Sequence, residues 1–182
     1  MRQPNFEQAP QPVIREAVVS DAEPARTMQA QSWLDTYPND KMGVPYEWVK
    51  ARTDGWFKPE SMAKSREILQ RAIDDPKQFY RVAELNGQIV GFIHGVIRDD
   101  GSGHLWGLYT DKFTHGSGLS GRLMQELDGF FSEHGVTTVD LEVVSYNERA
   151  IRFYEKWGFT KVPGSEDLFA DKMPDVRMER RL

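Results

Sequence analysis

A loop that contains two glycines and precedes a predicted helix is the part of this sequence best suited to binding a phosphate. Gly116 and Gly118 lie within LYTDKFTHGSGLSGRLMQELDGFF, residues 108–131, where a short apolar strand leads into an amphipathic helix. Leucine and phenylalanine recur there at helical spacing, which predicts one buried face. The first turn of a helix leaves backbone N–H groups unpaired, and the helix dipole favours an anion there. The loop therefore predicts a phosphate or pyrophosphate site, although a plain tight turn would use the same glycines.

A second motif, NERAIRFYEKWGF, covers residues 147–159. Asn147 and Tyr154 are seven residues apart, so a helix places them on one face, two turns from each other. Ala150 and Ile151 share much of that side, and core packing alone would explain the tyrosine. The two motifs are separated by one strand that reads as buried, residues 137–144. The pair of motifs, more than either one alone, indicates a functional site.

Composition and charge exclude several classes of function. The 182-residue chain has a net charge of −5, which argues against nucleic acid as the main partner. It contains no cysteine, which removes disulfides and thiolate nucleophiles and suits a reducing cytoplasm. No apolar run approaches the ~20 residues that span a bilayer, and the N-terminus lacks a signal-peptide core. The four histidines have no metal-ligand spacing. We therefore expect a cytoplasmic protein with no membrane, nucleic-acid or metal partner.

The elements predicted around these motifs form an α+β domain. Asn86-Gly87 is a strong hairpin signal between two alternating strands. Ser145, with Glu148 three residues later, predicts a capping box at the start of the last helix. We predict about seven strands and about four helices, with a strand–helix–strand crossover between residues 104 and 144. Residues 1–12 are expected to form a flexible arm, and residues 13–182 a single domain.

The two motifs together resemble the GNAT family of acyl-CoA-dependent N-acetyltransferases, and the resemblance extends over nearly the whole chain. The family's loop pattern is Arg or Gln, two residues, Gly, one residue, then Gly or Ala. Gly118 matches the central glycine, whereas His115 and Ser120 replace the usual residues on either side. The later pattern, Asn-x-x-Ala-x-x-x-Tyr-x-x-x-Gly-Phe, is met in full by Asn147, Ala150, Tyr154, Gly158 and Phe159.

The resemblance implies a GNAT-like fold, a mixed and mostly antiparallel sheet whose central parallel strands, 104–110 and 138–144, splay apart. It implies acetyl-CoA as the acyl donor, with the pantetheine arm pairing with backbone groups of Leu108 and Thr110 as an added strand. Backbone amides from Gly116 to Gly121 would hold the pyrophosphate, and Asn147 would fix the arm. The cofactor-binding residues that it implies are Leu108, Tyr109, Thr110, His115, Gly116, Ser117, Gly118, Leu119, Ser120, Gly121, Asn147 and Tyr154.

Acyl transfer to an amine requires a neutral nucleophile and a proton for the leaving thiolate. Tyr154, with an ordinary pKa of ~10, stays protonated and is the predicted general acid. Glu142 is the first candidate for the base, since it lies on the strand two residues from Asp140 and on the same side. A solvated or salt-bridged carboxylate explains Glu142 equally well. An ordered water can take the place of a base, and Tyr109 is a further candidate.

The function predicted from this resemblance is direct transfer of an acetyl group onto a primary amine of a small molecule or peptide. Because no cysteine is present to carry the acyl group, a ternary-complex route is favoured. Two different functions fit the same residues: a catalytically silent acyl-CoA sensor or partner subunit of the same fold, and transfer of a longer acyl chain. The protein is expected to be a monomer or a homodimer.

Two further sets of residues are candidates for ligand recognition. The aromatic side chains of the irregular segment 33–59 are expected to close the core. The family resemblance implies that this region also forms the acceptor wall, where some of them, with nearby carboxylates, would recognise the amine, since aromatic faces and carboxylates both suit a cation. Its residues are Trp33, Tyr37, Tyr46, Trp48, Trp56 and Phe57, with Asp35, Glu47 and Asp54. The candidate cations for the 3′-phosphate of the cofactor are Arg122, Arg152 and Lys156, which solvated helix faces explain equally well.

Overall fold

The structure is a computed structural model that describes residues 10–170 and 172–182. Of the predicted N-terminal arm, residues 1–9 lie outside the described part of the chain. The described residues form eight strands and five α-helices. The strands are β1 (Val13–Glu16), β2 (Gln78–Leu85), β3 (Gln88–Ile97), β4 (Gly103–Thr110), β5 (Thr138–Val144), β6 (Thr160–Lys161), β7 (Asp167–Phe169) and β8 (Met173–Arg181). The helices are α1 (Ala22–Thr36), α2 (Tyr46–Asp54), α3 (Pro59–Asp74), α4 (Leu119–Glu133) and α5 (Glu148–Lys156).

All eight strands join one open sheet in the order β1-β2-β3-β4-β5-β8-β6, with β7 paired to β8. Only β4 and β5 are parallel, and α4 forms the crossover between them, as the sequence predicts. This mixed sheet with flanking helices is the GNAT-like fold that the motifs imply. The extra strand is β7, three exposed residues that pair with β8. A strand so short and exposed has no alternation of buried side chains by which the sequence could reveal it.

The two parallel strands pair over a short stretch and then separate. Gly103–Leu105 are in register with Val139–Leu141, and no later residue of β4 pairs with β5 within the described residues. At Trp106 the register between β3 and β4 shifts, because His94 faces Gly107 while Gly95 faces Leu105. This bulge bends β4, as an extra residue in one strand of an antiparallel pair does. A gap therefore opens in the middle of the sheet.

Helices cover both faces of the sheet and leave the gap between them. On one face α4 and α5 contribute Leu123, Leu127, Phe131 and Ile151 to the main core. α4 packs so closely that a Cβ on Gly95 would lie 2.5 Å from Leu127 Cδ1. On the other face, α1 and α3 pack over β2 and β3. The main core is therefore on the α4 and α5 side, and the gap faces both layers.

Two local predictions about helix ends differ from the structure. Ser145 does not cap α5: its backbone N–H donates to Pro174 O, and the helix begins three residues later, at Glu148. Asn147 is the cap instead, and its side-chain Oδ1 accepts the N–H of Ala150 at 3.2 Å. No helix in residues 10–170 or 172–182 has the length and apolar character needed to cross a bilayer.

Candidate active site

The loop before α4 has the conformation that a phosphate-binding turn requires. Gly116 and Gly118 have φ values of +82° and +83°, in the left-handed region that glycine adopts without strain. Gly118 is the residue immediately before the helix and has no side chain with which to cap it. The turn therefore presents the start of α4 directly to solvent.

Four backbone N–H groups of this turn have no acceptor among the described residues: those of Gly116, Gly118, Ser120 and Gly121. The other two in the predicted range are occupied. Ser117 N–H binds Thr114 O at 3.1 Å, and Leu119 N–H binds Ser117 Oγ at 3.3 Å. The free groups lie at the positive end of the helix dipole, so together they form a site for an anion.

These amides open into a cavity of about 450 Å³ between α1, α4, α5 and β4, which we call the loop cavity. Every residue predicted to bind the cofactor lines it except Ser117, whose hydroxyl binds Thr114 O at 2.6 Å. The structure thus gathers side chains from positions 108–121 and 147–154 around one space. Its lining residues include Leu108, Tyr109, Thr110, His115, Gly116, Gly118, Leu119, Ser120, Gly121, Asn147 and Tyr154.

The free edge of β4 forms one wall of the loop cavity. Asp111 N–H binds Val90 O, so the backbone of Asp111 points toward β3. In an antiparallel pair the direction of the backbone groups alternates. The N–H and C=O groups of Leu108 and Thr110 therefore point into the gap, where β5 has moved away. That edge can accept an extended ligand as an additional strand.

A cation that the sequence reasoning did not select lies at the mouth of the loop cavity. Arg149, in the first turn of α5, contacts the ring of His115, with Nη1 2.9 Å from Nε2. Burial, followed by the Arg149 charge, lowers the pKa of His115, so the imidazole is neutral at pH 7. None of the three candidate cations for the 3′-phosphate lines this cavity, and Arg152 pairs with Glu148 at 2.9 Å. The position of Arg149 two residues after Asn147 is the only sequence signal that distinguishes it.

Tyr154 lies where the loop cavity meets a second cavity. Its side chain is 8% exposed, and its hydroxyl has no hydrogen-bond partner in the described part of the chain. Burial, and then the nearby Tyr109, raises the pKa of Tyr154, so the phenol keeps its proton. Tyr109 is placed differently, because its hydroxyl accepts the indole N–H of Trp33 at 3.2 Å. Tyr154 can therefore donate a proton into the space that both cavities share.

The second cavity, of about 410 Å³, opens on the other side of the gap, and we call it the sheet cavity. Glu142 lines it together with Tyr154, so the structure brings the two predicted catalytic residues to one space. The Glu142 side chain is half exposed, with Oε2 3.5 Å from His104 Nε2. A carboxylate and a phenol at one cavity can act as a base and an acid in the same reaction.

A buried histidine stands behind Glu142. His104 is 3% exposed, and its Nδ1 lies 2.6 Å from Asp140 Oδ1. Burial by itself would raise the pKa of Asp140, but hydrogen bonds from His104 and Arg98 outweigh it and lower the pKa. Nδ1 also lies 2.8 Å from Arg98 Nη2, so Asp140 and Arg98 occupy that side of the ring and Nε2 faces Glu142. His104 was not selected from the sequence, because only the pairing of His104 with Asp140 across β4 and β5 reveals it.

The sheet cavity has a second carboxylate, which the sequence reasoning also missed. Asp175, on β8, is 8% exposed and has no hydrogen-bond or ion-pair partner in the described ranges. Burial raises the pKa of Asp175, and the charges of Glu142 and Asp167 raise it further. An acidic residue among the buried Met173, Val176 and Met178 was the available signal.

The aromatic segment mostly closes the core, as expected, since Trp33, Tyr37, Trp48 and Trp56 pack in one hydrophobic cluster. It supplies only part of a cavity wall. Trp33 and Tyr37 line the sheet cavity, and Trp56 packs against Trp33 at 4.9 Å between ring centroids. Tyr46 and Phe57 are exposed on the surface. The suggested acidic residues lie elsewhere: Asp35 pairs with Lys112, and Asp54 with Lys50. Trp106, Phe169 and Met173 complete the wall from β4, β7 and β8.

The comparisons with known proteins agree with this geometry. The Acetyltransferase (GNAT) family matches residues 46–159. An uncharacterized N-acetyltransferase of Mycobacterium bovis is 34% identical over 112 residues, 60% of this chain and 71% of that protein. A mycothiol acetyltransferase of Acidimicrobium ferrooxidans is 28% identical over 147 residues, 76% of this chain and 44% of that protein.

Among solved structures, the PaiA N-acetyltransferase of Thermoplasma acidophilum, in complex with coenzyme A, has a TM-score of 0.76 at 20% identity. The match covers 94% of this chain and 99% of that one. A crystal structure of an aminoglycoside 6′-acetyltransferase of type Ii matches with a TM-score of 0.62 at 17% identity, over 93% and 96% of the two chains. At these identities the likeness shows the fold.

Proposed function

This chain belongs to the GNAT family of acetyltransferases, and we propose that it transfers an acetyl group from acetyl-CoA directly onto a primary amine of a small molecule or a peptide. The observation that carries the proposal is the position of Tyr154. Tyr154 lines both the loop cavity and the sheet cavity, and its hydroxyl has no hydrogen-bond partner among residues 10–170 and 172–182. A donor in one cavity and an acceptor in the other would meet at that hydroxyl.

The loop cavity suits acetyl-CoA as the donor. The four free amides at the start of α4 would hold the pyrophosphate, with Arg149 beside them as a counter-charge. The backbone of Leu108 and Thr110 would pair with the pantetheine amides, and the Asn147 side-chain N–H₂, left over from capping α5, would donate to the arm. The PaiA N-acetyltransferase structure, which was solved in complex with coenzyme A, supports this assignment of the donor.

The sheet cavity suits an amine as the acceptor. An alkylammonium with a pKa of ~10.4 must lose a proton before it can attack. Glu142 would take that proton, and His104, fixed by Asp140, would receive it from Glu142 through Nε2. The amine nitrogen then bonds to the thioester carbonyl carbon, the C–S bond breaks, and Tyr154 gives its phenolic proton to the departing sulfur. The second proton of the attacking nitrogen is released as the amide forms and restores the Tyr154 phenol. With no cysteine in the chain, the acetyl group passes in one transfer.

The experiment that tests the proposal is an acceptor screen with the purified full chain. Acetyl-CoA is supplied with polyamines, amino acids, aminoglycosides and peptides, and released thiol is measured against a control without acceptor. A longer acyl-CoA run in parallel reports on the size of the donor. Calorimetric binding of acetyl-CoA without turnover on any amine would favour the silent sensor over the enzyme. If neither coenzyme A nor acetyl-CoA produced heat or a thermal shift, the loop assignment itself would be wrong.

A further inference from the structure

A third cavity lies next to the sheet cavity, on the same face of the sheet. It measures about 450 Å³, is enclosed by α1, α3 and strands β2 to β4, and is called here the α3 cavity. It shares Trp106, Gly107 and Tyr109 with the sheet cavity. The two cavities therefore adjoin along β4, where a ligand longer than a simple amine could reach from one toward the other.

The α3 cavity is lined by an arginine that has only uncharged partners. Arg26 Nη1 donates to Gln29 Oε1 at 2.9 Å, and Nη2 donates to Ser65 Oγ at 2.8 Å. The guanidinium also lies 5.1 Å from the centroid of Trp56. Among the described residues no carboxylate lies within 4.0 Å of the guanidinium. Burial is the main influence on this group, and it lowers the pKa of Arg26. A guanidinium remains charged at neutral pH, so this charge lacks the partner that burial calls for.

Three other half-buried arginines of this chain each have a carboxylate partner. Arg15 contacts Asp21 at 2.7 Å, and Arg98 contacts Asp140 at 2.9 Å. Arg180 contacts Asp128 in the same way. Arg26 differs from them in that its remaining N–H groups face a cavity large enough for a ligand. A planar guanidinium with free N–H groups binds a carboxylate through two parallel hydrogen bonds.

The rest of the α3 cavity also suits an anion. No Asp or Glu of the described ranges lines it, whereas Arg26 and Arg71 do, with Arg71 paired to Glu67. Burial raises the pKa of Tyr80, which keeps that hydroxyl a donor. His94 adds no charge of either sign at pH 7, since burial, followed by the charge of His104, lowers its pKa to about 4. The sheet cavity is more acidic: Glu142 and Asp175 line it, and its lining arginine, Arg98, is paired with Asp140 at 2.9 Å.

Charge therefore changes sign along the two joined cavities, from acidic beside Tyr154 to basic at Arg26. We propose that the acceptor is a primary amine that also carries a carboxylate, with the amine in the sheet cavity and the carboxylate bound by Arg26 in the α3 cavity. The inference rests on the proposed function, because it assumes that an amine is acetylated beside Tyr154. It narrows the substrate class to amino acids and related molecules with both groups.

The test compares acceptors that differ only at the distal group. ω-Amino acids of increasing chain length, α-amino acids and their primary amides are acetylated by the full chain, and kcat/KM is measured for each pair. We expect the acid to be preferred ~10- to 100-fold over its amide at the best chain length, as charged hydrogen bonds of this kind support. Arg26→Gln should bring the ratio close to one, and Arg26→Lys should keep part of the preference.

Arg66→Gln is the matched control, because Arg66 is an exposed arginine of α3 that contacts Glu23 and does not line the cavity. Each ratio compares two acceptors with one preparation, so a partly unfolded variant gives the same ratio as a fully folded one. Equal kcat/KM for acids and amides at every length, or an unchanged ratio in Arg26→Gln, would overturn the inference.

A failure of the proposed function is distinguishable from a failure of this inference, because in the first case no amine in the screen is acetylated. In that case calorimetry with the same acids, in the presence of coenzyme A, still decides the anion site. Heat that disappears in Arg26→Gln and persists in Arg66→Gln would support it. No heat with the wild-type chain would reject it.

Discussion

Replacing Gly118 by alanine adds one methyl group at a φ of +83°, where it meets no atom within 4 Å. The only direct penalty is conformational, because an L-residue in the left-handed region costs about 1–2 kcal/mol. In the free protein the exposed turn can relax toward negative φ and relieve that strain. Binding the diphosphate requires the original turn, so the strain then reduces affinity. We expect the Kd for coenzyme A to rise ~5- to 30-fold.

The matched control is Gly101→Ala, in the turn between β3 and β4. Gly101 has a φ of +82° and also has open space around its Cα, so the two substitutions introduce the same strain. Isothermal titration with coenzyme A gives the Kd, and urea unfolding gives the free energy of unfolding for both variants. We expect Gly101→Ala to bind coenzyme A like the wild type. If Gly118→Ala also bound with unchanged affinity, the assignment of the diphosphate to this turn would be refuted.

Three further predictions concern Tyr154, Glu142 and His94. Tyr154→Phe should lower kcat ~10²- to 10⁴-fold with nearly unchanged affinity for acetyl-CoA, and the exposed Tyr46→Phe should change neither; full activity in Tyr154→Phe would remove the acid role. Glu142→Gln should lower kcat/KM at least ~10²-fold at pH 7, with the exposed Glu166→Gln as control, and wild-type rates would leave water as the base. Burial, followed by the charge of His104, lowers the pKa of His94 from 6.5 to about 4, so the folded state binds fewer protons than the unfolded state between these values. The neutral His94 contributes on the order of 3 kcal/mol to the free energy of unfolding above pH 6.5, and this contribution is lost as the pH falls toward 4. In His94→Gln, the free energy of unfolding in urea should therefore depend less on pH across that window. An equal pH slope in both proteins would contradict the depressed pKa.

Most of the fold was predictable because its signals are local. The Asn86-Gly87 turn and the alternation on either side predict the hairpin of β2 and β3, and the structure confirms it. The leucine spacing after Gly118 predicts α4, which is present. The short strand β7 and the helix cap at Asn147 were not predicted, because each depends on a contact with a distant or competing partner.

The loop cavity was largely predictable from its two motifs, whereas the sheet cavity was not. Glycines at fixed spacing report a backbone conformation directly. An Asn seven residues before a Tyr predicts that the two residues lie on the same side of a helix. His104 and Asp140, by contrast, are 36 residues apart and meet only because β4 and β5 pair in one register. Arg26 and Asp175 stand out because neither has an oppositely charged partner in the described part of the chain. A sequence does not show which charged side chains remain unpaired.

Under the proposed function, the early separation of β4 from β5 would give the two substrates two different kinds of recognition. Peptide groups of β4 and of the turn before α4 would hold the donor, and almost any side chain at those positions leaves them in place. Side chains on β5, β8, α1 and α3 form the opposite compartment, so substitutions there can retune the choice of amine while the donor contacts stay intact. Proteins with this arrangement can change their acceptor through side-chain substitutions while the backbone contacts that would hold the thioester stay the same.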